Sequence, residues 1–257
     1  MYRPYAECVP PSNPHIPIWR YIDFAKFVDM LERRQLHFAR LDQLGDPFEG
    51  APSDGTVALL RAWEERHPIT TVSGEPSWRI SARDTYRINS LIMYVNCWHI
   101  NEHESMAMWR LYSREGIAIR STYQRLVESF VGVAGDVHVG QVFYRDPRDP
   151  AQPENPGNTP APVLCKGMSY EYERELRAIT DRIPADWKSG SFPYDQYKDE
   201  QPKGVYVSAD LDTLIERVYV APGRPAWFKE LVARVIATYA LDRPIENSSL
   251  DERPDLV

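Results

Sequence analysis

The chain has 257 residues, 43% of them hydrophobic and 26% charged, with a formal net charge of −7. That balance excludes a disordered chain and leaves enough apolar mass for one large core. It also argues against a generic nucleic-acid sleeve, which needs a basic face, and no apolar run approaches the roughly 20 residues that cross a bilayer.

The opening MYRPYAECVPPSNPHIP reads as irregular up to Pro17, without the basic and apolar regions of a signal peptide. Cys8, Cys97 and Cys165 are scattered and form no CxxC, which points to reduced thiols and a cytoplasmic home. IWRYI (18–22) predicts a strand, and FAKFVDMLERRQ (24–35) a helix with Phe24, Phe27, Val28 and Leu31 at helical spacing. LHFARLDQ is extended and ends in LGDPFEG. Residues 53–89 read as helix and loop, and LIMYVNCW (91–98) as an apolar strand.

A helix is expected from about Asn101 to Arg114, closed by Gly116, before a strand at IAIR (117–120). Ser121 or Thr122 caps the next helix, YQRLVESF. VHVGQVFYR (137–145) alternates as a strand, and DPRDPAQPENPGNTPAP (146–162) is too rich in proline for regular structure. YEYERELRAI, GVYVSADL and IERVYVAP follow. A helix at about 225–240 and a flexible tail, DERPDLV (251–257), complete the chain. The pattern predicts an α+β fold, a single domain over 1–257, with a mixed or largely antiparallel sheet and flanking helices.

Four stretches could carry chemistry. LGDPFEG (44–50) is either a tight turn with Phe48 in the core or a loop that presents Asp46 and Glu49 to a cleft. In YEYERELRAI (170–179), strand alternation places Glu171, Glu173, Glu175 and Arg177 on one face. Such a carboxylate row needs cations, and Arg177, Lys166 and Arg20 are candidates. A solvated edge or an exposed helix face is the plainer alternative. Beside cations, the row suits general-base or oxocarbenium chemistry. Arg20, between Trp19 and Tyr21, requires a carboxylate or phosphate partner unless it snorkels to the surface.

The fourth stretch is CWHINEHESMAMWRLYSREG (97–116). Asn101 with Glu104 resembles a cap and its capping-box acid, while Ser105, Trp109 and Tyr112 share a helix face. A metal would need Cys97, His99 and His103 to converge from poor spacing, so no metal is expected. An anion or substrate site at the helix start fits better, with Glu104 and Ser105 at its mouth and Trp98 or Trp109 as a stacking wall.

Taken in order, WRYIDFAKFVDMLERRQLHFARLDQLGDPFEG, NCWHINEHESMAMWRLYSREGIAIR, CKGMSYEYERELRAI and IERVYVAP resemble the bacterial family defined by the domain of unknown function numbered 2971. The resemblance covers about residues 17–250. It implies a fold neighbourhood and carries no activity. A weaker resemblance is to ADP-ribosyltransferases of the Arg-Ser-Glu type, through Arg20, Ser121-Thr122 and Glu173-x-Glu175. It implies NAD as substrate, with Arg20 on its phosphates, Glu175 on the ribose and its oxocarbenium-like transition state, and Glu173 activating the acceptor. Tyr21, Asp46, Glu49, Glu104, Ser105, Trp109, Tyr112, Lys166 and Arg177 then become substrate-binding candidates.

The full Ser-Thr-Ser of that group is missing. Two other classes stay open. One is a metal-dependent nuclease or hydrolase using Asp46, Glu173 and Glu175 with Lys166 nearby. The other is a non-catalytic nucleotide sensor in a phage-defence or toxin-type system. A nucleic-acid partner and the oligomeric state are left open.

Overall fold

A computed structural model describes residues 1–46, 48–66, 82–132, 134–149, 162–184 and 194–253. The chain runs β1 (Pro17–Ile22), α1 (Phe24–Arg33), β2 (Gln35–Arg40), α2 (Asp54–Arg66), α3 (Ala82–Ile92), β3 (Met93–Ile100), α4 (Met106–Tyr112) and β4 (Ile117–Thr122). It continues through α5 (Tyr123–Glu128), β5 (His138–Gln141), β6 (Phe143–Arg145), β7 (Cys165–Gly167), β8 (Glu175–Asp181), α6 (Tyr194–Glu200) and β9 (Gly204–Ser208). Last come α7 (Leu211–Leu214), β10 (Arg217–Val220), α8 (Ala226–Thr238) and β11 (Ile245–Asn247).

Among the described residues nine strands form one sheet in the order β11-β10-β4-β1-β3-β2-β9, with β8 on β3 and β5 on β8. All its pairs are antiparallel except β10 with β11. β6 and β7 make a separate parallel pair. The fold is α+β. Strands from before and after residues 150–161 pair within the large sheet, since β5 lies on β8; most of the proline-rich 146–162 segment is outside the described residues, as is the tail beyond 253.

The central strands are covered on both faces, which is why they read as continuous apolar runs. On β1, Ile18 and Ile22 enter the main core with Phe27, Trp98 and Ile119. Trp19 and Tyr21 point the other way, to a cluster with Met108, Trp109 and Ala118. Helix α8 closes the main core with Phe228, Val232 and Ile236, spaced four apart on one face. Burial contributes roughly 1.5–3 kcal/mol for each such side chain.

One feature of the pairing creates the site. β3 carries β8 along one edge but two strands along the other. Near its end, Ile100 and His99 face Ile18 and Trp19 of β1; near its start, Tyr94 and Val95 face Arg40 and Ala39 of β2. Between them β1 and β2 diverge, so among the described residues Asn96, Cys97 and Trp98 have a strand partner only in β8. Side chains replace the missing ladder: Asn96 Nδ2 donates to the His37 carbonyl at 2.8 Å, and Arg20 Nη1 donates to the Cys97 carbonyl at 3.0 Å.

Several sequence expectations shift. The strand expected from Leu91 starts at Met93, because α3 runs to Ile92. The helix expected from Asn101 starts only at Met106, with Ser105 as its cap through a bond from the Met108 N–H. Asn101 cannot begin it, since its N–H pairs with the Pro17 carbonyl and its own carbonyl accepts the Trp19 indole N–H at 2.8 Å. VHVGQVFYR breaks into β5 and β6, which belong to different sheets. YEYERELRAI is a strand only from Glu175; Met168–Glu173 is a 3₁₀ turn, and Arg174 stands in the left-handed region at φ 39° between the two. Helix α6 and strand β11 were not anticipated.

Candidate functional site

The fork between β1 and β2 opens a cleft of about 630 Å³. Arg20, Tyr21, Glu49, Cys97, Trp98, His99, Tyr112, Lys166, Glu173, Glu175 and Arg177 line it, together with α1 and the Gln43–Gly45 turn. By alternation Arg20 shares a face of the sheet with Trp98, whereas Cys97, His99, Glu175 and Arg177 occupy the other. Residues of both sets line the cleft.

On the second face sits a closed ion network. Arg177 has no exposed surface, and every N–H of its guanidinium is used. Nε and Nη2 donate to the two oxygens of Glu175 at 3.0 and 2.9 Å, and Nη1 and Nη2 to the two oxygens of Glu49 at 2.8 and 2.7 Å. The remaining Nη1 proton goes to the Val163 carbonyl. Lys166 Nζ lies among three carboxylates, 2.7 Å from Glu173, 3.4 Å from Glu175 and 3.5 Å from Glu49. Tyr112 donates its hydroxyl to the other oxygen of Glu173 at 3.1 Å.

Burial would raise the Glu175 carboxyl, but the Arg177 and Lys166 charges outweigh it and hold it at about 2. The same acids hold Lys166 and Arg177 above their usual ranges against the opposing effect of burial. Burial, reinforced by Glu175, keeps the Cys97 thiol protonated.

The turn LGDPFEG supplies Glu49 to this network. Its Asp46 Oδ1 accepts the Phe48 N–H at 2.9 Å, and the Glu49 N–H bonds the Asp46 carbonyl. Gly50 stands at φ +71°, where a Cβ would lie 2.3 Å from Leu41 Cδ2. Phe48, expected in the core, is 44% exposed.

Arg20 is placed differently. Its guanidinium carbon lies 5.9 Å from the Trp98 ring centroid, and the Trp98 indole is fixed by donating to Asn96 Oδ1 at 2.7 Å. Among the described residues Arg20 has no carboxylate partner; of the three cations expected at the YERE glutamates, Arg177 and Lys166 pair with them and Arg20 does not. Burial lowers Arg20 to about 10, partly opposed by Cys97, so it stays charged at neutral pH.

His99 also faces the cleft, 6% exposed and paired in register with Glu175. Its Nδ1 lies 2.5 Å from the Glu173 carbonyl. A carbonyl only accepts, so Nδ1 carries the proton. Nε2 is then a lone-pair acceptor, buried without a partner among the described residues. Burial lowers the His99 pKa, the Glu173 carbonyl bond opposes this, and Arg174 adds to it. The imidazole is neutral at neutral pH.

Of the residues proposed from sequence, the structure brings together Arg20, Tyr21, Glu49, Tyr112, Lys166, Glu173, Glu175 and Arg177. It leaves Asp46, Glu104, Ser105 and Trp109 outside the lining. Glu104 accepts the Trp109 indole N–H at 2.9 Å, the Ser248 hydroxyl at 2.6 Å and the Ser249 N–H at 2.8 Å, so it pins the C-terminal segment to the start of α4. Ser105 is consumed as the cap of α4, and its N–H donates to the Tyr21 hydroxyl at 2.8 Å. The Glu171 position is an exposed turn, not part of a strand row. Ser121 donates to the Leu214 carbonyl and Thr122 caps α5. Both are structural. His99, expected only as a supporting residue, and Cys97, weighed only as a poorly spaced metal ligand, both stand in the cleft lining; alternation along β3 from the buried Val95 was the available signal.

No family model, curated protein or solved structure matches the chain. Function therefore rests on the cleft itself.

The depressed Glu175 carboxyl has a testable consequence. Its contribution to stability is fully present above the ordinary carboxylate value of 4.5 and is lost as pH falls toward about 2. Urea unfolding between pH 5 and 2.5 is expected to show a steep acid-side loss in the wild type and a shallower one in Glu175→Gln. Equal slopes would contradict the assignment.

Proposed function

We propose that the cleft binds a nicotinamide dinucleotide and breaks its ribosyl–nicotinamide bond, an ADP-ribosyltransferase-like activity. The observation that carries this reading is Arg20: a partly buried guanidinium over Trp98, bonded to a carbonyl, in the same cleft as Glu173. A charged guanidinium without an acid is suited to a phosphate, for which its forked donors fit two oxygens. The cleft volume lies within the range of cofactor pockets, about 300–1,000 Å³.

Glu173 is the carboxylate fitted to the reacting ribose. It keeps lone pairs beyond those that bond Lys166 and Tyr112. Glu175 is less suited, since Arg177 grips both its oxygens and Lys166 one of them. Its part is to hold the base of the site. This reverses the division of labour that the sequence resemblance implied.

The metal-dependent reading finds less support. Lys166 Nζ sits between Glu49, Glu173 and Glu175, where a divalent ion would need to be, and Asp46 lies outside the lining. A nucleotide sensor is favoured by one observation, that each of the three carboxylates already has a cation. Calorimetric titration separates the readings. Wild type is expected to bind NAD and ADP-ribose, and to bind nicotinamide riboside at least about 10-fold more weakly, since it lacks phosphates. Binding without nicotinamide release would favour the sensor, and no binding of NAD or ADP-ribose would end both readings.

A further inference from the structure

His99 is a buried titratable group that the ion network does not use. Its Nδ1–H is committed to the Glu173 carbonyl, and its Nε2, on a side chain 6% exposed in the cleft lining, has no hydrogen-bond partner among the described residues. Leaving a buried acceptor unsatisfied destabilises a fold, so its retention calls for an explanation. The bond from Nδ1 fixes both the ring orientation and the tautomer, which is how a base is prepared for a proton on its other nitrogen. Glu173, the carboxylate assigned to the ribose, is held by that same bond through its backbone.

We propose that His99 Nε2 is the general base of the cleft and takes the proton of the attacking water. This rests on the reading of the site as an NAD-cleaving one. In the step, the bond between the ribose C1′ and the nicotinamide ring nitrogen breaks, and its electron pair stays on nicotinamide, which leaves neutral. The water oxygen bonds to C1′, and the proton it sheds passes to Nε2. The products are ADP-ribose and nicotinamide, and the imidazolium returns its proton to solvent. Glu173 faces the positive charge that develops on the ribose. Lys166 and Tyr112 hold that carboxylate in place.

The neutral imidazole agrees with this role. The charged and titratable groups around it are Tyr21, with its ring centroid 6.4 Å away, Glu175 across the ladder, and Glu173 and Arg174 at the start of β8.

The deciding variant is His99→Asn. Its side-chain amide reproduces the Nδ1–H donor to the Glu173 carbonyl and removes the Nε2 base. The expected result is an NAD dissociation constant within about threefold of wild type and a nicotinamide release rate lowered about 10²–10⁴-fold. A release rate within threefold of wild type would overturn the proposal while leaving the NAD-cleaving reading intact. If wild type itself releases no nicotinamide, both fall together, a different result from the variant alone being active. A second measurement holds even if the variant does not fold. The wild-type rate is expected to fall on the acid side with a midpoint below the ordinary histidine value of about 6.5. A rate flat from pH 7 to 4 would also overturn it.

Discussion

Replacing Arg177 with Met is expected to cost about 3–5 kcal/mol of stability and to lower Tm by roughly 10 °C. The reason is the state in which it leaves its partners. Glu49 and Glu175 are 4% and 5% exposed, and both lose their bidentate partner. Lys166 alone then faces three buried carboxylates, at distances from 2.7 to 3.5 Å. Met fills much of the volume, so the loss reports the uncompensated charge rather than a cavity. Lys at the same position is expected to recover little, because an ammonium cannot present the fork that grips two carboxylates at once. Urea unfolding at neutral pH checks this. A loss below about 1 kcal/mol would mean that the network contributes little to the fold.

Arg20→Gln is expected to behave in the opposite way. Among the described residues its hydrogen bond is a single one, to the Cys97 carbonyl, and no carboxylate there depends on its charge. Stability should therefore change by less than about 1 kcal/mol. Affinity for NAD and ADP-ribose should fall roughly 10- to 100-fold, the worth of charge-assisted bonds to phosphate. Nicotinamide riboside should bind both proteins alike. A uniform loss across the three ligands would show that Arg20 shapes the cleft instead of holding phosphates. Calorimetry on the two proteins, with melting curves alongside, distinguishes these outcomes.

Much of the scaffold was legible in the sequence. The strand at IWRYI, the helix after it and the helix of Phe228, Val232 and Ile236 all follow from periodicity, because each buries one continuous face. The α+β class followed from the same elements. What periodicity could not place were segments whose backbone bonds go to distant partners. Asn101 is held by Pro17 and Trp19, so the expected helix starts at Met106 instead. The left-handed Arg174 ends a 3₁₀ turn where alternation alone reads an unbroken strand.

The site was legible in its residue types more than in its pairings. Arg177, Lys166, Glu173, Glu175 and Glu49 were all singled out, but Arg177 meets Glu49 across 128 residues of sequence. Nothing local announces that partner, and the residue pattern does not say which of Arg177, Lys166 and Arg20 reaches the glutamates. Glu104 misled for a similar reason. Its position suggested a helix mouth, whereas its oxygens serve Ser248 and Ser249, some 144 and 145 residues away. The fork in the sheet, which makes Arg20 and His99 members of one cleft, is a property of pairing register and has no sequence signature of its own.

Cleavage of NAD in this cleft, as proposed, requires Glu173 to face the ribose. The most direct measurement is the rate of nicotinamide release from NAD by wild type and by Glu173→Gln, with Glu175→Gln melted alongside as the structural control. Release by wild type, a loss of at least about 100-fold in Glu173→Gln with NAD still bound, and a lowered Tm in Glu175→Gln are expected. Undiminished release by Glu173→Gln, or none by wild type under conditions where NAD binds, would contradict the proposal.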